Sequence, residues 1–144
     1  MMGSHAEGFR TLANGGASHA EGMRSISSGD RSHAEGTYNI SSGNSAHAEG
    51  TDTIASGKYS HAEGFNTIAK NQGSHAEGGY NIASGLSAHA EGNKSSAIGD
   101  CSHAEGLSIA VGDFSHSENG TKGMDVFPVG NANATTYTSS LESG

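Results

Sequence analysis

The 144-residue chain contains one cysteine, one proline and no tryptophan. A lone Cys101 excludes an intrachain disulfide framework and any zinc site built from several thiolates. Bulky apolar side chains are scarce as well: Leu, Ile, Val and Phe total 18 residues, about one in eight. Combined with a formal charge of -8, so little apolar content is by itself the signature of a chain that buries too little surface to offset its entropy. Cationic residues number only seven and form no basic stripe, which argues against nucleic acid as a partner. No apolar run approaches the roughly 18 residues of a membrane-spanning helix, and no signal-peptide apolar region is present. Composition alone therefore points to a disordered or fibrous chain.

Periodicity overturns that reading. Histidine recurs at 5, 19, 33, 47, 61, 75, 89 and 103, an unbroken spacing of 14, each time within Ser/Ala-His-Ala-Glu-Gly. Between these segments lies a companion of the form small–x–small–x–Gly, as in Ser25-Ile26-Ser27-Ser28-Gly29 and Thr53-Ile54-Ala55-Ser56-Gly57. Each unit thus reads strand, two-residue linker, strand, two-residue linker, with alternation of period two inside each strand. Repeats of this kind specify stacked architectures. A coiled coil is excluded by glycine in almost every half-unit, and the pattern predicts a β-solenoid.

Glycine at the end of each strand suggests a turn that requires positive φ. Asn71 and Asn119 replace glycine there, and asparagine is the residue best able to adopt the left-handed conformation in its stead. Size decides which side of each strand faces inward. A roll with two short strands per turn has a narrow interior, and burying eight His and eight Glu there would be prohibitive. Ser, Ala and Thr therefore face in, including Thr11, Thr53 and Thr67, which removes an ice-binding threonine ladder from consideration. His and Glu face out on one sheet. Leu12, Ile26, Ile40, Ile54, Ile68 and Ile82 face out on the other. An interior of Ala and Ser gives limited burial at about 25 cal/mol per Å², so oligomerisation is the expected supplement.

The pattern Ala-Ser-Gly-x-x-Ser-His-Ala-Glu-Gly resembles the 14-residue head repeat of YadA-like trimeric autotransporter adhesins (the Hep/Hag type), which reads Ala-x-Gly-x-x-Ser-Val-Ala-Ile-Gly. Its His-Ala-Glu form is similar to repeats in tail-fibre proteins of phages and prophages. Ser108-Ile109-Ala110-Val111-Gly112 also matches the adhesin motif, in a unit one residue short. The resemblance implies an all-β, left-handed parallel β-roll that forms a homotrimer, placed outside the cell on a bacterial surface or a phage virion. It also implies a structural and adhesive role within a longer fibre. The strand that lines the three-fold axis in such heads corresponds to the His strand. The resemblance thus places His5, His19, His33, His47, His61, His75, His89 and His103 at the axis. Glu7, Glu21, Glu35, Glu49, Glu63, Glu77, Glu91 and Glu105 accompany them. The chain departs from the family here, because Val and Ile become His and Glu. The alternative leaves His and Glu in solvent and puts the Ile column at the axis.

A polar axis of this kind invites interchain His–Glu hydrogen bonds and ordered water. Pairing with Glu raises a histidine pKa and burial lowers it, and the sequence leaves the winner open. The same His column is the candidate for an axial metal ion or anion. Eightfold repetition favours a structural ladder over a tuned site, so no cofactor is assigned. Catalysis is not expected: HExxH, GxSxG, P-loop and EF-hand patterns are absent, and Asp30, Asp52, Asp100, Asp113 and Asp125 lack the calcium-roll spacing. Cys101 is expected in a turn as an inert exposed thiol. Linker residues such as Phe9-Arg10, Thr37-Tyr38, Lys58-Tyr59 and Gly79-Tyr80 are the exposed candidates for receptor contact. The roll is expected over residues 1–120, with about eight turns and a degenerate ninth, followed by a cap or linker over 121–144. A repeat that begins in register at Ser4 suggests a fragment of a longer fibre.

Overall fold

A computed structural model describes residues 3–118. The expected cap or linker over 121–144, and Asn119, lie outside the described residues. Alternation and unit length produce two sheets. Nine parallel strands open with histidine: His5–Phe9, His19–Met23, His33–Thr37, His47–Thr51, His61–Phe65, His75–Ala76, His89–Ala90, His103–Glu105 and His116–Glu118. Eight parallel two-residue strands form the other sheet: Leu12–Ala13, Ile26–Ser27, Ile40–Ser41, Ile54–Ala55, Ile68–Ala69, Ile82–Ala83, Ser96–Ala97 and Ile109–Ala110. The chain passes from one sheet to the other and back every 14 residues, so each strand pairs with its equivalent one turn away. The result is an all-strand parallel β-solenoid of about eight turns.

The interior is as narrow as the small residues demand. Ala20, Ala34, Ala48, Ala62, Ala76, Ala90 and Ala104 are fully buried, facing Ala55, Ala69, Ala83 and Ala97 of the second sheet. Thr53 and Thr67 are buried too, and Thr11, in the first turn, is half-buried. At several corners the serine before histidine closes the turn: the hydroxyls of Ser18, Ser32, Ser60 and Ser102 donate to the carbonyls of Gly15, Gly29, Gly57 and Gly99 at 2.6–2.8 Å, whereas Ala46 and Ala88 take that place before His47 and His89. These hydroxyls are satisfied inside the roll, as burial requires.

The glycines divide into two classes with different reasons. Those ending the His strands have φ from 80° at Gly106 to 111° at Gly8, a conformation that only glycine adopts freely. Those of the companion strands have ordinary φ and are fixed by proximity alone, a constraint the first class shares, since a Cβ on Gly8 would sit 2.0 Å from the Gly22 carbonyl oxygen. A Cβ on Gly43 would sit 1.9 Å from the Gly57 carbonyl oxygen. Asn71 is therefore not a left-handed substitute, contrary to the sequence-based expectation. It keeps ordinary φ, and its amide donates to the Ser84 carbonyl at 2.6 Å. In the two-residue linkers the left-handed residue is the second, with φ from 51° at Ser87 to 66° at Gly73. Arg10, Arg24, Tyr38, Asp52 and Lys94 share this conformation despite carrying a Cβ.

The thirteen-residue unit is absorbed in a turn. His103 pairs with His116 and Ser96 with Ile109, so the missing residue is taken from the linker at Leu107 and both sheets remain in register. The adhesin-like stretch Ser108–Gly112 thereby falls on the second sheet rather than on the His sheet.

Candidate functional site: the histidine–glutamate ladder

Parallel in-register pairing stacks identical side chains about one strand spacing apart. The imidazoles form a continuous column from His19 to His116, with ring centroids 4.7–4.9 Å apart and planes within 12° of parallel. At the end of the column His5 turns edge-on to His19, at 76°. The glutamates form a second column beside the first. Between His19 and His89 each Nε2 lies 3.5–3.7 Å from Oε2 of the Glu two residues on. His and Glu therefore approach within one strand of one chain, whereas their spacing along the strand suggested reach only between chains. At the end of the ladder His5 closes to 3.2 Å from Glu7 and forms a hydrogen bond. In the next layers the separation exceeds hydrogen-bond range. Nε2 of His19, His33, His47, His61, His75, His89 and His103 is buried without a hydrogen-bond partner, although the side chains remain about one-third exposed.

Burial, reinforced by stacking, decides the protonation question that the sequence left open. The pKa of His47 is lowered from 6.5, first by burial and then by the charges of His33 and His61 above and below, against the opposing pull of Glu49 and Glu35. His75 behaves alike, with burial leading, then His61 and His89, opposed by Glu77 and Glu91. Burial and like-charge neighbours outweigh pairing in these two layers, so their imidazoles are neutral near pH 7.

Ligand atoms of His33, Glu35 and His47 lie within 4.8 Å of one another, and the set recurs up the column. Two parallel rings 4.8 Å apart direct their in-plane lone pairs along parallel lines, so no single ion lies on both. Carboxylates, by contrast, reach across layers: Glu91 lies 3.7 Å from Nε2 of both His89 and His103.

Other turn residues have roles that the sequence reading did not assign. Asn39 lies fully buried. Its amide donates to the Glu35 and Gly50 carbonyls, the latter at 2.7 Å. Its carbonyl oxygen accepts from the Thr53 backbone N–H and hydroxyl, both at 2.9 Å. Asn81 repeats the arrangement with Glu77, Gly92 and Ser95. Asp30, Asp100 and Asp113 each accept a backbone N–H from the preceding turn, at Gly16, Leu86 and Asp100. Asparagine and aspartate at 14-residue offsets were the available signals. Cys101 is an exposed free thiol in a turn. Phe9, Tyr38, Tyr59 and Tyr80 are exposed on the linkers.

Two parallel sheets wound from 14-residue units, with an outward ladder and no apolar core beyond alanine, define a β-solenoid of the adhesin-head class. The family model described as YadA head domain repeat (2 copies) matches residues 6–32, 34–60 and 76–100. That is more than half of the chain, which belongs to the YadA head repeat family and takes an adhesin-type structural role. No curated protein matches significantly. Among the described residues no helix is long and apolar enough to cross a membrane.

Proposed function

We propose that the chain is the head or shaft of a trimeric fibre, a bacterial surface adhesin or a phage tail fibre, in which three copies pack their His/Glu faces around a common axis. It acts outside the cell by structure and adhesion rather than by catalysis. The observation that carries the reading is the unbroken column of stacked His and Glu side chains, each about one-third exposed on the first sheet. Such a face repeats the same polar groups at every layer, and a neighbouring copy of it offers matching hydrogen-bonding groups to the exposed carboxylates and ring edges. Repetition supports architecture over chemistry, because catalysis needs one shaped pocket and the ladder offers equivalent layers. The charged turn residues stand on edges and the second sheet, away from the ladder, as the outer parts of such an assembly should.

Sedimentation gives the test. The mass should be three times 14.5 kDa, and Ile54→Lys on the second sheet should leave it unchanged. Replacing His47 by Val and Glu49 by Ile, the residues of the family pattern, should preserve the trimer. A monomer ends the reading, and dissociation by Ile54→Lys moves the axis to the Ile column.

A further inference from the structure

The two edges of the roll differ. One edge is formed by the linkers that follow the His strands, carrying Arg10, Arg24, Asp52 and Lys94. The opposite edge is formed by the linkers that follow the second-sheet strands, carrying Asp30, Arg31, Lys58, Asp100 and Asp113. Charges separated by six residues stand at the same turn on opposite edges, and there the signs oppose: Arg24 with Asp30, Asp52 with Lys58, Lys94 with Asp100. The order of signs reverses at the middle pair, so the match is not a uniform positive edge against a uniform negative one. Tyr38 and Asn44, Asn66 and Gln72, and Tyr80 and Leu86 are uncharged on both edges, whereas Arg10 stands opposite the uncharged Gly16 and Asp113 opposite the uncharged Leu107. Arg31 is the like-signed exception, and its guanidinium turns along its own edge to Ser45, at 3.3 Å.

These pairs cannot form within one chain. Five residues, including a second-sheet strand, separate the two members, about 17 Å if extended. Among the described residues every ion pair is His–Glu, and none of these Lys, Arg or Asp side chains takes part. Arg24, Asp30, Asp52, Lys58 and Lys94 are exposed, and Asp100 is half-buried. In a closed ring whose members present the same sheet to the axis, each copy meets the next through unlike edges at equal height.

We infer that neighbouring copies of the chain dock unlike edge to unlike edge, with Arg24, Asp52 and Lys94 of one copy facing Asp30, Lys58 and Asp100 of the next. The inference rests on the trimer reading and adds to it the lateral contact and its register. The signs favour the in-register alignment, which makes three opposite-sign pairs, over a one-turn slip, which makes at most two, Arg10 with Asp30 and Lys94 with Asp113. The edges thus set the alignment of the copies, while the ladder supplies the central face.

Asp52→Lys and Lys58→Asp, alone and combined, provide the test. Lys94 already occupies the left-handed position equivalent to Asp52, with φ of 60° against 57°, and Asp30 occupies the position equivalent to Lys58, so each substitution suits its backbone. An exposed pair contributes a factor of about two, and a ring repeats it three times. Each single variant should raise the trimer dissociation midpoint roughly tenfold at low salt, and the double variant should return it close to the parent. Circular dichroism of every variant checks that the roll is intact. The Lys94→Asp and Asp100→Lys set serves if one of the first pair misfolds. A trimeric parent with additive single effects overturns the edge contact and leaves the trimer standing. A monomeric parent overturns both.

Discussion

His61 lies on His47 with ring centroids 4.9 Å apart and planes 1° from parallel. Such a pair tolerates two neutral rings and penalises two charged ones. The relationship extends through the column, and burial first, with these like-charged neighbours second, explains why the carboxylates beside the histidines do not raise the pKa values of His47 and His75.

Stability should therefore rise with pH. A histidine whose folded pKa lies below its unfolded 6.5 binds fewer protons when folded than when unfolded. Its contribution is present above pH 6.5 and is lost as pH falls through the lower folded value. Thermal melts at constant ionic strength should give a lower midpoint at pH 5 than at pH 8. A midpoint that is level, or higher in acid, contradicts the stacking account.

Asn39 should be the costliest buried polar side chain to truncate. Asn39→Ala strands the Gly50 carbonyl and the Thr53 amide inside the roll, for about 3 kcal/mol. Asn39→Thr, which installs the residue found at the equivalent Thr53 and Thr67, should cost less, about 1 kcal/mol. Urea denaturation of both variants measures the difference.

Two glycines separate proximity from flexibility. The Cβ of Gly43→Ala would meet the Gly57 carbonyl oxygen at 1.9 Å, and backbone cannot give way without opening the turn. At Gly16 the nearest atom is the Asp30 side-chain oxygen at 3.1 Å, which can move. Gly43→Ala should lower expression and melting temperature sharply, and Gly16→Ala should shift the midpoint by only a few degrees.

Chelation should leave the melting midpoint unmoved, since the stacked rings of one chain do not aim at a shared ion. Elemental analysis before and after chelator, with parallel melts, reads this directly. Loss of a stoichiometric metal together with a lower midpoint would mean that ligands from several copies converge.

The repeat was fully legible because 14-residue spacing, alternation and the size of Ala and Ser each point to the same roll. The sides taken by His19, Glu21 and Ile26 follow from size and charge alone. Other features were hidden because residue identity did not signal them. Arg24, Tyr38 and Lys94 adopt left-handed backbone without being Gly or Asn, since the stacked turn, held by bonds such as Arg24 N–H to the Phe9 carbonyl at 2.8 Å, over-determines it. Glycines at 8 and 15 look alike in sequence, yet Gly8 is set by positive φ as well as by a neighbouring carbonyl, and Gly15 by the carbonyl alone. The direction of the His47 pKa depended on burial and ring stacking against side-chain pairing, a balance that spacing along the chain does not contain.

The thirteen-residue unit has a consequence for how such a chain can change. Leu107 stands alone where other linkers have two residues, and both sheets continue past it in register. Length is thus negotiable at the corners and fixed along the rungs. A gene encoding this chain can gain or lose whole units by unequal recombination, or shed a codon at a corner, and the product remains a continuous rod of altered reach.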